Sequence, residues 1–182
     1  MLNDQQRQRL LQVARQSIRA VCCGDADPDL RTDDPMLTCV QGAFVTLHTA
    51  DGDLRGCIGH IEGVLPLIET VHEMAVAAAT QDPRFPTVRC AEVPGLRLEI
   101  SVMSPIREVR NVEEIEVGRH GLIVSRGYRR GLLLPQVATE YNWNREEFLE
   151  HTCLKAGLPS DAWRDSATKI ECFEAEVFGE EK

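Results

Sequence analysis

No apolar run in this chain approaches the roughly 20 residues that a membrane-crossing helix needs. The opening stretch MLNDQQRQRLLQVARQ has neither an apolar core nor a small-residue cleavage site, which argues against a secretory leader. There is no C-x-x-C pair, and the CC at 22–23 is poorly spaced for one zinc ion. A three-cysteine cluster for an iron–sulfur centre is missing, so any radical chemistry would belong to a partner. A P-loop, a dinucleotide fingerprint, a G-x-S-x-G elbow and H-E-x-x-H are missing too. Positive charge is in deficit: the formal net charge of −9 argues against a general nucleic-acid or anionic-membrane binder. GYRRG at 127–131 is the local exception and reads as a hairpin tip. Without internal repeats or a low-complexity linker, a second domain has to be inserted within the chain.

What is there is an ordinary globular composition. The 182 residues are 43% hydrophobic and 27% charged, enough for one sizeable core or two small ones. Seven cysteines stand at 22, 23, 39, 57, 90, 153 and 172, an odd number in a chain without a secretion signal. That pattern predicts no disulfide framework, mostly buried thiols and a cytoplasmic location.

Periodicity predicts a helix over 3–22, capped by Asn3 or Asp4 and stopped at Gly24, with Leu10, Leu11, Ala14, Ile18 and Val21 as its apolar stripe. AFVTLHT, the turn ADGD and LRGCIGHI form a hairpin signal. A second helix follows from Pro66 and ends at DPRFP. The 96–104 stretch alternates as a half-buried strand, and GLIVSRG and RGLLLP make two more. Residues 144–158 form a helix with a capping box from Asn144 and Glu147, and 169–178 a closing strand. Hairpins interrupted by helices predict an α+β fold with mainly antiparallel sheets.

Six stretches in order carry a resemblance: GAFVTL at 42–47, LRGCIG at 54–59, DPRFP at 82–86, LEISVMSP at 98–105, GRHGLIV at 118–124 and GLLLPQVA at 131–138. Together they resemble the AMMECR domain family, whose prokaryotic members form protein A of the AmmeMemoRadiSam system. The resemblance spans nearly the whole chain. It implies two α/β layered domains, a smaller one inserted into a larger one, here expected as 84–149 within 1–83 and 150–182. It also implies two partners, a Memo-like protein and a radical SAM enzyme.

The chemistry centres on LRGCIGH at 54–60. On a regular strand Arg55 and Cys57 share a face, roughly 6–7 Å apart at the backbone, while Leu54 and Ile58 point to the core. A guanidinium at that range favours the thiolate, the nucleophilic form. Gly56 and Gly59 leave room for a ligand or another segment. The plain alternative is a bulged corner in which Cys57 fills a small pocket. Cys57 and His60 face opposite ways, and His48, His72 and His120 lack ligand spacing, so no metal or cofactor is expected.

Asp82 and Arg84 sit in a proline-fixed turn, suited to aiming a guanidinium at an anion or simply to stopping a helix with an exposed ion pair. His120, a loop histidine between glycines, is the candidate proton-transfer group. Gln136 stands where a strand feeds a helix, as ligand reader or cap. Glu99 and Ser101 read as solvent-facing. The expectation is a thiol-based enzyme or accessory catalyst with its site in an interdomain cleft. The competing reading is a non-catalytic scaffold or small-ligand binder for the partner proteins, with no ligand identified.

Overall fold

The computed structural model describes residues 1–180 and divides into two compact units. The first runs from Met1 to Met103 and takes in the chain again from Glu176; the second is Ser104–Ala175.

In the first unit, α1 spans Asp4–Cys23. Asn3 and Gln6 exchange side-chain-to-backbone bonds as a capping box. Gly24, at φ 76°, ends the helix in the left-handed conformation and donates its N–H to the Ala20 carbonyl. Leu10, Val13, Ala14 and Ile18 are buried, whereas Val21 in the last turn is exposed. Strands β1 (Ala43–His48) and β2 (Leu54–His60) form the antiparallel hairpin, turned through Gly52 at φ 93°. Helix α2 (Leu67–Thr80) follows Pro66, and its first two N–H groups donate to the Cys39 and Leu37 carbonyls. Strand β3 (Arg97–Met103) pairs antiparallel with the other side of β1, leaving β2 at the sheet edge.

The side chains sort by strand alternation. Ala43, Val45, Leu47, Leu98, Ile100 and Val102 are buried with the apolar residues of α1 and α2 in one core. Phe44, Thr46, His48, Cys57, Glu99 and Ser101 are half-buried on the opposite face.

The second unit contains β4 (Arg107–Glu108), β5 (His120–Arg126), β6 (Arg129–Leu133), α3 (Pro135–Glu140), α4 (Arg145–Lys155) and most of β7 (Lys169–Gly179). β5 pairs antiparallel with both β6 and β7, and β4 pairs with β7. Leu122, Val124, Phe148, Leu149, Cys153, Ile170 and Cys172 build its core. Asn144 and Glu147 form the expected capping box on α4. The last residues of β7 run beside β3, where Glu180 N–H donates to the Leu98 carbonyl.

The fold is α+β with antiparallel strands. The unit boundaries differ from the expected 84–149 insertion. β3 completes the sheet of β1, which moves the first boundary to 103/104. Helix α4 packs on β5 and β6, and β7 pairs with β5 as far as Glu174, which moves the second to 175/176. No helix among the described residues is long and apolar enough to cross a membrane.

The cysteine expectation is also corrected: Cys23 and Cys90 form a disulfide, with Cα atoms 4.9 Å apart across a sequence separation of 67. The end of α1 lies beside the 3₁₀ turn Cys90–Gly95, an approach that no local spacing reveals. Cys153 and Cys172 are buried thiols as expected, while Cys22 and Cys57 are half-buried and Cys39 is exposed.

Candidate functional site

Cys57 lies opposite Thr46, and Thr46 lies opposite Glu99, so the three form one row across β2, β1 and β3. Directly opposed residues of an antiparallel pair project to the same face. The Thr46 hydroxyl donates to Cys57 Sγ at 3.2 Å. Gly59, Phe44 and Ser101 form the next row, and His48 and Arg97 stand on the other side.

Because β2 is an edge strand, the outward N–H and C=O of Cys57 have no neighbouring strand to pair with. The DPRFP turn supplies substitutes. Asp82 Oδ2 accepts the Cys57 N–H at 2.8 Å, and Arg84 Nη2 donates to the Cys57 carbonyl at 3.4 Å. Asp82 and Arg84 are themselves joined twice, Nε to Oδ1 at 2.9 Å and Nη2 to Oδ2 at 2.7 Å. An ion pair thus does the work of a partner strand at one residue. The Asp82 side chain is only 2% exposed, against 55% for Arg84. The pair is therefore not the exposed surface contact that the sequence suggests as one reading. The hydrogen bond from the Arg84 guanidinium holds the Asp82 carboxyl far below the usual carboxylate range, with the Cys57 and Arg84 N–H groups assisting. Arg84 also lies over the Phe85 ring at 5.5 Å. Its Nη1 takes no part in the Asp82 and Cys57 bonds.

Arg55 departs from expectation. Leu47 pairs with Gly56 but His48 pairs with Leu54, so Arg55 is the extra residue of a β-bulge. The slip breaks the alternation on which the Arg55–Cys57 pairing rests. Leu54 shares the His48 face and is 38% exposed rather than core. Arg55 turns to Glu92, with Nε to Oε1 at 3.1 Å, and its Nη1 donates to the Pro86 carbonyl at 2.9 Å. Arg84, not Arg55, is the guanidinium beside Cys57.

The glycines serve the protein itself. A Cβ on Gly56 would stand 2.2 Å from the Ala78 carbonyl oxygen of α2, and one on Gly59 would stand 2.4 Å from Phe44 Cγ. Gly56→Ala is expected to cost about 2 kcal/mol, because backbone must move to admit the methyl. Thermal unfolding followed by circular dichroism checks this, and an unchanged midpoint would contradict it.

His120 and Gln136 belong to the second unit. His120 is not a loop residue: it opens β5 and is buried. Its Nδ1 accepts the Glu116 N–H at 3.0 Å, and its Nε2 lies 3.5 Å from Glu174 Oε1. Both ring nitrogens are thereby engaged within that unit. Gln136 is exposed in the first turn of α3, where its backbone carbonyl accepts the Thr139 hydroxyl. His60 pairs with Ala43 and so faces the helices, opposite to Cys57, as alternation requires. A cavity of about 610 Å³ in the first unit lies along α1, lined by residues such as Arg7, Leu11, Phe178 and Glu180, and includes none of the candidate residues.

The AMMECR1 family model matches residues 11–178 of this chain. The chain belongs to the AMMECR1 family. Protein MJ0810 of Methanocaldococcus jannaschii is 49% identical over 147 residues, covering 77% of this chain and 73% of its own length. Protein MK0488 of Methanopyrus kandleri is 52% identical over 150 residues, covering 78% and 72%. Among solved structures, the crystal structure of uncharacterized protein PH0010 from Pyrococcus horikoshii is similar, with a TM-score of 0.78 and 41% identity over 94% of this chain and 90% of that one.

Within this AMMECR1 chain, sequence reasoning missed Thr46 and set Glu99 aside as solvent-facing. With the connection at residues 49–53, regular pairing from His48 and Leu54 would set Thr46 opposite Gly56; the bulge at Arg55 moves it onto Cys57, and no local signal in the sequence marks that bulge.

Proposed function

We propose that this AMMECR1-family chain uses Cys57 as a reactive thiol, nucleophile or covalent carrier, toward a small anionic substrate. The observation that carries this is the Thr46 hydroxyl donating to the sulfur of a half-buried free cysteine. The hydroxyl fixes where the sulfur sits, and a positioned sulfur is what nucleophilic attack requires. Arg84, braced by buried Asp82, keeps guanidinium donors free for an anion next to that sulfur. The resemblance to AmmeMemoRadiSam protein A supports a setting in which a Memo-like protein and a radical SAM enzyme are partners.

The test is the alkylation rate of each free thiol in the native chain, read by peptide mass spectrometry across pH. Cys57 is expected to react faster at neutral pH than the exposed Cys39. Thr46→Val should slow Cys57 about fivefold, the equivalent of one hydrogen bond of about 1 kcal/mol, and leave Cys39 unchanged. A Cys57 no faster than Cys39, or sealed from reagent, would end the reactive-thiol reading.

A scaffold reading has its own support, since both backbone groups of Cys57 are held by the 82–86 turn, Gly56 packs closely on α2 and Gly59 on β1. Cys57→Ser separates the two. The scaffold predicts lost stability and partner binding together, whereas the reactive thiol predicts a folded protein that retains partners and loses turnover.

A further inference from the structure

The Cys23–Cys90 disulfide stands in a chain of contacts that leads to Cys57. Cys90 opens the 3₁₀ turn whose third residue is Glu92. The Glu92 carboxylate accepts the Arg89 N–H at 2.9 Å and holds Arg55 Nε at 3.1 Å. Arg55 is the bulge residue two positions before Cys57, and its Nη1 is bonded to Pro86 in the turn that caps Cys57. The far end of the same 3₁₀ turn is held separately. Val93 is buried, and Arg15 donates to the Val93 and Leu96 carbonyls at 2.9 and 2.8 Å. Cutting the disulfide would therefore remove one tether from the near end, at Cys90, while the far end keeps its own contacts. Cys90 is exposed and Cys23 half-buried, so the bond is open to a thiol reagent.

We propose that Cys23–Cys90 is a thiol–disulfide exchange site, and that its reduction by a dithiol relaxes the Glu92–Arg55 clamp and alters access to Cys57. The incoming thiolate attacks Sγ of Cys90, forming a mixed disulfide, and Cys23 leaves as a thiolate that takes up a proton. The second thiol of the reductant then displaces Cys90 and leaves as the oxidised disulfide. Two electrons and two protons pass from the dithiol to the pair. The adjacent Cys22 is disfavoured as a competing nucleophile, because burial, and then the Glu92 carboxylate, push its thiol up.

The experiment uses the full chain after air oxidation, with dithiothreitol as the reductant. Under denaturing, non-reducing conditions five cysteines should alkylate, and peptide mapping should join Cys23 to Cys90. In the native protein, reduction should raise the alkylation rate of Cys57 at least threefold while that of exposed Cys39 stays level. Cys90→Ser in air should match the reduced wild type. Glu92→Gln, which keeps the disulfide, should reproduce the increase. An unchanged ratio of Cys57 to Cys39 rates on reducing the wild type would overturn the proposal, as would failure of the pair to form. The ratio is read whether Cys57 is intrinsically fast or slow, so its outcome is independent of the reactive-thiol reading.

Discussion

Replacing Asp82 with alanine is expected to destabilise the first unit by about 3 kcal/mol, at the low end of the cost of breaking a buried ion pair. The low end applies because the partner left behind, Arg84, is half-exposed and water can receive its charge. What water cannot readily receive is the Cys57 N–H, which loses its acceptor at the edge of β2. Asp82→Asn should cost less, since an amide oxygen can still accept that N–H. The pH dependence separates these contributions. Arg84 depresses the folded-state pKa of Asp82, so the ionised carboxylate stabilises the fold above its unfolded value of about 4. That contribution is lost as the pH falls below about 4 toward the folded value, and both substitutions should flatten this acid limb. The measurement has to be circular dichroism. Both tryptophans, Trp143 and Trp163, lie in the second unit, so their fluorescence reports on that unit, whereas α1 and α2 supply most of the helical signal. A wild-type acid limb unchanged in Asp82→Ala would show that the pair does not brace the edge.

Glu92 carries the same sign. Its carboxyl is lowered to about 2, first by the Arg89 N–H and next by Arg55, so its contribution also fades as the pH falls below the ordinary carboxylate range. Acid therefore loosens both attachments of β2, at Cys57 through Asp82 and at Arg55 through Glu92.

The helices and most strands were legible because their signals are local. Asn3, Asn144 with Glu147, Pro66 and Gly24 each act within one turn of a helix end. Alternation over 96–104 needs no knowledge of the strand's neighbours to assign Leu98, Ile100 and Val102 to one face. The site was less legible because it turns on one residue of slip. A single bulge at Arg55 reverses which side that guanidinium takes, and nothing in LRGC distinguishes a regular strand from a bulged one. Arg84 could be singled out from the rigidity of DPRFP, but its target, the edge of β2, depends on how far the turn folds back. His120 looked free because flanking glycines suggest a loop, although its burial comes from the pairing of β5 with β7. The unit boundaries depended on β3 joining β1, a pairing between segments about 50 residues apart.

Removing the Cys23–Cys90 crosslink is the other large effect expected. A disulfide closing a sequence separation of 67 restricts the unfolded chain by about 4 kcal/mol in the chain-entropy account, and measured values for native bridges are about 2–4 kcal/mol. Cys90→Ser should therefore lower unfolding stability by about 3 kcal/mol in the absence of reductant, with little change once dithiothreitol is present. Cys23→Ser should behave identically, because either substitution deletes the same loop. The crosslink lies in the first unit, so circular dichroism, to which α1 and α2 contribute most of the helical signal, is the readout. Cys22→Ser provides the contrast: it lies in the same helical turn but leaves the bridge intact. If Cys22→Ser were as costly as Cys23→Ser, packing at the end of α1, and not the crosslink, would be the source of the loss. If neither Cys23→Ser nor Cys90→Ser lowered stability in air, the bridge would not contribute to the fold.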